Sequence, residues 1–358
     1  MRKKVLSLLL ASILTILLIP SGISATESET AETNCYIATT ECPQGYIDFA
    51  EENVSNFVLS MGESLDYDDI IVGSPFAFAD YGADVYYFPV ICDDVITYLF
   101  RVYPDGDSYS AVISRFLADD IEELSDLTSV QNPMYLNLVN NRIVATIGTE
   151  EYVLFEYPDG ISDVNQPAVA SLIEHEVVDV KETSEIELNL MQTRVFYQYI
   201  DLDIIETQSS RDKWCTAYCL STIIRTQTTF YTTAESCVII ALGSDASTTK
   251  AFPWSSIATV SKQYRITPTV LTTTASNSVL MTELNAGNPV IAAMDRGTSQ
   301  HAIVLRGYST AGNWSIWNPW FDFYESCSMS GAYVPVGLPS STNSYYPYAH
   351  AYNFEYNS

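Results

Sequence analysis

Apolar positions recur at helical spacing over residues 45–62, where Ile47, Ala50, Val54, Phe57, Val58 and Met61 share one face. From about residue 85 the repeat shortens to alternation. The runs VYYFPVI, ITYLFRVYPDG, SYSAVISRF, MYLNLV, RIVATIG and EYVLFEYPDG are short, aromatic and β-branched, and turn residues separate them. They predict strands. Tyr-Pro-Asp-Gly stands at both 103–106 and 157–160, which is repeated turn chemistry rather than a duplicated domain. A helix over about 118–127 interrupts the strands. The first folded body therefore reads as a mainly antiparallel sheet with two helices over about 40–165. Residues 171–190 are acidic and lack a core pattern, and they read as a linker or an arm lying on the other domain. Past 205 the helical period returns at 215–226, 233–242, 255–264 and 276–286. Strands follow at 289–295, 301–308 and 313–318. Helices first and an antiparallel sheet second is an α+β layout.

The start of the chain has its own pattern. Met1-Arg2-Lys3-Lys4 precedes an apolar run from Val5 to about Pro20, then Ser21-Gly22-Ile23-Ser24-Ala25. A basic segment, an apolar segment and small residues predict a cleaved signal peptide over 1–25, hence a secreted, extracellular protein with no stable membrane insertion after its removal. Charge then divides the remainder. Residues 26–206 carry a net charge of −31, while 207–358 are neutral, within a total of −28. The boundaries expected are an acidic segment at 26–200, with a linker at about 166–204, and a second domain at 205–358. So acidic a chain argues against nucleic-acid partners.

Seven cysteines in a secreted chain suggest pairing plus one free thiol, with Cys35 and Cys42 close enough in sequence for a small loop. Only three histidines exist, and no Cys/His grouping has zinc-site spacing, so neither a metal nor another cofactor is expected. His175, between Glu174 and Glu176, reads as a surface residue.

The candidate chemistry lies in the second domain. Cys215, in Lys213-Trp214-Cys215-Thr216-Ala217-Tyr218, starts a predicted helix, where the helix dipole favours a thiolate. His301 opens an apolar strand after the loop Gly297-Thr298-Ser299-Gln300, and Asn318 sits in Ile316-Trp317-Asn318-Pro319-Trp320. A nucleophilic thiol needs a base, and the base needs a group that fixes its ring. Trp320 is placed to shield a His301–Asn318 bond from water. An oxyanion site needs a backbone N–H, here that of Cys215, and a side-chain donor, for which Gln208 is the first choice and Gln192 the second. Trp214 supports the nucleophile, and Ser299 and Gln300 edge the expected substrate pocket. The nucleophile on a helix and the base on a sheet would face one another across a cleft.

These pieces together, Glu206-Thr207-Gln208, Trp214-Cys215, Ala217-Tyr218, His301-Ala302 and Ile316 through Trp320, resemble the staphopains, secreted papain-superfamily cysteine proteases of Gram-positive bacteria. The likeness covers about 205–325. It implies a papain-like catalytic domain preceded by an α+β pro-domain that inhibits it, made as a zymogen and matured by cutting near 190–207, where Arg194 lies. It also implies an endopeptidase acting on proteins or peptides. Cys215 would attack, His301 would serve as acid and base, Asn318 would orient His301 and Gln208 would stabilise the oxyanion. Two rival functions share parts of this pattern. One is a Cys/His cell-wall peptidoglycan amidase or peptidase. The other is a non-enzymatic secreted protein whose acidic domain binds a partner.

Overall fold

The computed structural model describes residues 34–61, 70–78, 85–139, 142–156, 175–184, 186, 188, 197–209, 212–271, 275–295, 300–329 and 346–356. The expected leader, Gln192, Arg194 and Ser299 lie outside them. The first half runs β1 (Tyr36–Thr39), α1 (Gln44–Ser60), β2 (Ile70–Val72), β3 (Tyr86–Cys92), β4 (Val95–Asp105), β5 (Ser108–Ser114), α2 (Ala118–Leu124), β6 (Met134–Val139), β7 (Arg142–Ile147), β8 (Glu150–Glu156) and β9 (Glu176–Asp179). The second half runs β10 (Tyr197–Tyr199), α3 (Cys215–Gln227), α4 (Ala234–Leu242), α5 (Ile257–Gln263), β11 (Ile266–Leu271), α6 (Asn277–Asn285), β12 (Val290–Asp295), β13 (Gln300–Ser309), β14 (Asn313–Trp317), β15 (Tyr324–Ser328) and β16 (Tyr346–Tyr356). The fold is α+β, with helices packed on two mainly antiparallel sheets, as a papain-like peptidase fold requires.

One sheet has five strands in the order β8-β7-β6-β1-β9, and β1–β6 is its parallel pair. Residues 176–179, within the expected linker, form its edge strand β9 against β1. The other sheet has eleven strands and crosses the middle of the chain. Its path runs β11-β16-β12-β13-β14-β15-β5-β4-β3-β2, and β10 adds to β13. The two halves join at β15–β5, where Cys327 pairs Val112 and Ser326 pairs Ile113. Ser60 Oγ at the end of α1 donates to Ser326 Oγ at 2.6 Å, and Ser328 Oγ accepts from Ala111 N–H at 3.0 Å.

Three clusters hold this frame. α1 starts after Pro43 and buries Ala50, Val54, Phe57 and Val58 against β4 and β5, with the Phe57 and Phe100 rings edge to face at 5.0 Å. α3 buries Ala217, Leu220, Ile223 and Ile224 against Ala302 and Val304 of β13. A third cluster is drawn from both halves. Leu117, Ile121 and Leu136 share it with Ile303, Leu305, Trp314, Trp320 and Cys327. Each fully buried aliphatic or aromatic side chain contributes on the order of 1.5–3 kcal/mol, so the shared cluster ties the halves strongly. The charge boundary near 206 is therefore not a boundary of packing.

All seven cysteines are unpaired. The expected Cys35–Cys42 loop does not form, because the extended strand β1 lies between the two residues. At about 3.3 Å per residue it carries them well past the separation a disulfide can bridge.

β10 lies close on β13. A Cβ at Gly307 would overlap the Gln198 carbonyl oxygen and the Tyr199 side chain, so only glycine fits there. Arg306 beside it is buried, with its guanidinium 3.6 Å from the Tyr324 ring centroid and 4.8 Å from that of Tyr199.

Candidate active site

Cys215 is the first residue of α3 and follows Trp214, whose backbone has left the helical conformation. The first amides of a helix lack the partner one turn back, so the Cys215 N–H at the start of α3 is placed to bind an anion. The sulfur also takes a hydrogen bond from the Ala302 backbone N–H, and the Thr216 hydroxyl and amide bond it too. Ala302 follows His301 on β13, which brings the helix start and the strand start into one site. Burial nevertheless pushes the thiol up from its ordinary value, and the nearby Asp212 carboxylate pushes it the same way.

His301 is 4% exposed and Asn318 is fully buried. Their side chains meet at 2.9 Å, Nε2 to Oδ1. The same Oδ1 accepts from the Trp320 backbone N–H at 3.2 Å. A group that receives an amide N–H is an oxygen, so His301 Nε2 must be the protonated nitrogen, and Nδ1 is left as the acceptor. The Trp320 indole stacks on the imidazole, with centroids 4.3 Å apart and planes 29° from parallel. Burial drives the His301 pKa down to about 4, while the bond to Asn318 pulls it back upward.

Sequence explains how Asn318 and Trp320 come to be there. Asn318-Pro319-Trp320-Phe321 is a tight turn with proline at its second position, closed by Phe321 N–H to Asn318 O at 3.0 Å. Trp317 Nε1 donates to Phe321 O at 2.9 Å and fixes the end of the turn. From the first half of the chain, the Phe116 ring packs on Phe321 at 5.0 Å and the Phe155 ring faces Trp320 at 6.4 Å.

Gln208 lies beside this turn, its N–H donating to Pro319 O at 2.6 Å. Its side-chain Nε2 donates to the Asp212 carbonyl at 2.9 Å, and its Oε1 is buried without a partner. Trp214 is half-buried and anchored by Nε1 to Ser247 O at 3.1 Å. Gln300 opens β13 next to His301. His175 is not a freely solvated residue. It is half-buried, edge-on to Tyr135 at 6.1 Å. Among the described residues no group of three His, Cys, Asp or Glu could hold a metal ion, and no helix is long and apolar enough to cross a membrane.

Residues 204–330 match the model of the Peptidase_C39 like family. That span contains Gln208, α3, β13 and the Asn318 turn, while Phe116 and Phe155 lie outside it. No curated protein matches the chain. The match indicates a cysteine peptidase-type domain over this part of the chain.

Sequence reading missed Asp212 and gave Tyr218, part of the Cys215 motif, no role of its own. Asp212 accepts from Ser209 N–H and from Trp214 N–H, both at 3.2 Å, and from Tyr218 Oη at 3.1 Å. The signal was a short acidic residue just ahead of a helix, the pattern of a side chain that closes an Asx turn. It was hidden between Arg211 and Lys213, where a charge run reads as surface.

Proposed function

We propose that the protein is a secreted endopeptidase, made as a zymogen, with Cys215 as nucleophile. The observation that carries this reading is the His301–Asn318 bond beneath Trp320, with the Cys215 thiol bonded to the amide one residue beyond His301. His301 Nδ1 takes the proton from the thiol. The sulfur attacks the substrate carbonyl, and the oxyanion faces the Cys215 N–H and Gln208. Collapse breaks the C–N bond as His301 returns the proton to the leaving amine. Water then gives its proton to Nδ1 and attacks the thioester, which releases the acid and restores the thiol.

Burial disfavours charge on either partner alone, so the resting pair is a neutral thiol and a neutral imidazole. Bound substrate and mutual attraction would drive the charge transfer. In this reading 1–25 direct export, and the acidic segment 26–200 holds the enzyme inactive until the linker is cut. The staphopain likeness of the Cys215, His301 and Asn318 motifs supports that assignment.

The test is intact mass over time for residues 26–358 under reducing conditions with denatured casein, beside Cys215→Ala. The reading expects the wild type to trim itself and digest casein, and the variant to do neither. Casein left whole, with cross-linked cell-wall peptide cut instead, would move the assignment to an amidase.

A further inference from the structure

We propose that Asp212 is the positioning residue of the oxyanion site. It sets the turn from Gln208 to Cys215 so that the Gln208 amide and the Cys215 N–H converge on one point. The inference deepens the peptidase reading above and rests on it.

The geometry is a closed knot in front of α3. Asp212 Oδ1 accepts from Trp214 N–H, and Oδ2 accepts from Ser209 N–H and Tyr218 Oη. The main-chain carbonyl of Asp212 holds Gln208 Nε2 at 2.9 Å, and Asp212 N–H returns to Ser209 O at 3.2 Å. One buried residue therefore fixes the residue after Gln208, the residue before Cys215 and the Gln208 side chain itself. Tyr218 lies one helical turn beyond the residue that caps α3, so the knot is also tied to the helix carrying the nucleophile. Gln208 Nε2 donates to the Asp212 carbonyl, and the Gln208 side chain also bonds the Asp212 carboxylate, so Asp212 sets the direction of this amide from both sides. An oxyanion donor works only when aimed before the reaction starts, so a residue that aims it acts on the rate and not on ground-state affinity.

The position also has a cost that a purely structural residue would not bring. Asp212 acts on Cys215 by its charge, Cys219 couples to it from the next turn of α3, and Glu206 acts on the neighbouring Tyr218. Burial chiefly, and Asp212 in addition, hold the thiol up from its ordinary value. A residue that hinders ionisation beside a nucleophile, yet is held by Trp214, Ser209, Tyr218 and Gln208, is placed there for geometry.

Two reactions of the same sulfur separate these effects. Acylation by p-nitrophenyl acetate passes through an oxyanion. Alkylation by iodoacetamide does not. Both are followed on the full chain by mass spectrometry of the Cys215 peptide, across pH. For Asp212→Asn the expectation is acylation slower by about tenfold or more, with an alkylation profile that is not slowed and moves to lower pH. Gln208→Ala slows acylation similarly, and the double variant falls by clearly less than the product of the two losses, because both act on one donor. An unfolded variant would also expose the thiol and let it alkylate freely, so circular dichroism first establishes that Asp212→Asn is folded; if it is not, Tyr218→Phe decides. It removes one donor to Oδ2, and acylation should fall about threefold with alkylation unchanged.

Equal acylation and alkylation losses, or strictly multiplicative losses with Gln208→Ala, overturn the positioning role alone. Wild-type Cys215 that acylates no faster than the half-buried Cys42 overturns both this inference and the peptidase reading.

Discussion

Asn318 Oδ1 receives two hydrogen bonds, from His301 Nε2 at 2.9 Å and from the Trp320 backbone N–H at 3.2 Å, and so fixes which imidazole nitrogen carries the proton. Loss of this acceptor leaves His301 free to choose the other tautomer. Asn318→Ala should lower kcat by about 10²-fold, the scale of a mispositioned acid–base group, with KM changed little. Steady-state hydrolysis of labelled casein checks the split. A raised KM at unchanged kcat would assign Asn318 to substrate binding instead.

The Trp320 ring stacks on the His301 imidazole, and the residue is 8% exposed. Trp320→Ala opens a cavity shared with Phe155 and Phe321 and should cost about 3–5 kcal/mol in urea unfolding. Water would then reach the imidazole, and its pKa should climb from about 4 towards the ordinary 6.5. Histidine proton chemical shifts across a pH titration report it. Trp320→Phe should keep most of both properties.

The depressed His301 pKa has a consequence for stability. The unfolded chain binds a proton at His301 below about pH 6.5, whereas the folded chain does so only near pH 4. Between these values the unfolded state holds more protons, so stability falls as pH falls. The penalty is absent above pH 6.5 and complete below about pH 4. At about 1.36 kcal/mol per pKa unit it reaches about 3 kcal/mol. His301→Gln lacks it. The stability advantage of wild type over that variant should therefore shrink on acidification, as read from urea midpoints at pH 7 and pH 4.

Strands β3 to β8, α1, α3 and the start of β13 are legible from local pattern, because each is a regular apolar run bounded by turn residues. The shorter strands are not. β9 is Glu-Val-Val-Asp and reads as acidic linker, β11 contains Pro268, and β10 has only three residues. The joining of the halves at β15–β5 was hidden for a different reason. Pairing between Ser326 and Ile113 is a relation between residues far apart in sequence, and the sharp change in charge near 206 pointed towards separation. Cys215, His301, Asn318 and Trp320 stood out because their residue types and neighbours state a chemistry. Asp212 states only a turn, and its place under the site exists only once α3 and the Gln208 segment have folded together.

The seam between the halves should behave as core. Ile113 is fully buried on β5 opposite Ser326. Ile113→Ala should cost about 2–5 kcal/mol and should destabilise both halves in one transition. Hydrogen exchange at the amides of Val112 and Cys327 checks this. Protection should equal that of Val304 in the centre of β13, and two separate transitions would mean that the halves fold independently.

The central claim is that Cys215, made reactive by His301, is the one nucleophile among seven thiols. The most direct measurement is labelling with a peptidyl vinyl sulfone at neutral pH, followed by mapping of the modified peptides in wild type and His301→Ala. The account predicts a single adduct at Cys215 that falls by at least about 10²-fold in the variant, with Cys42 and Cys92 left unmodified. Labelling spread over Cys42 and Cys92, or Cys215 labelling indifferent to His301, would contradict it.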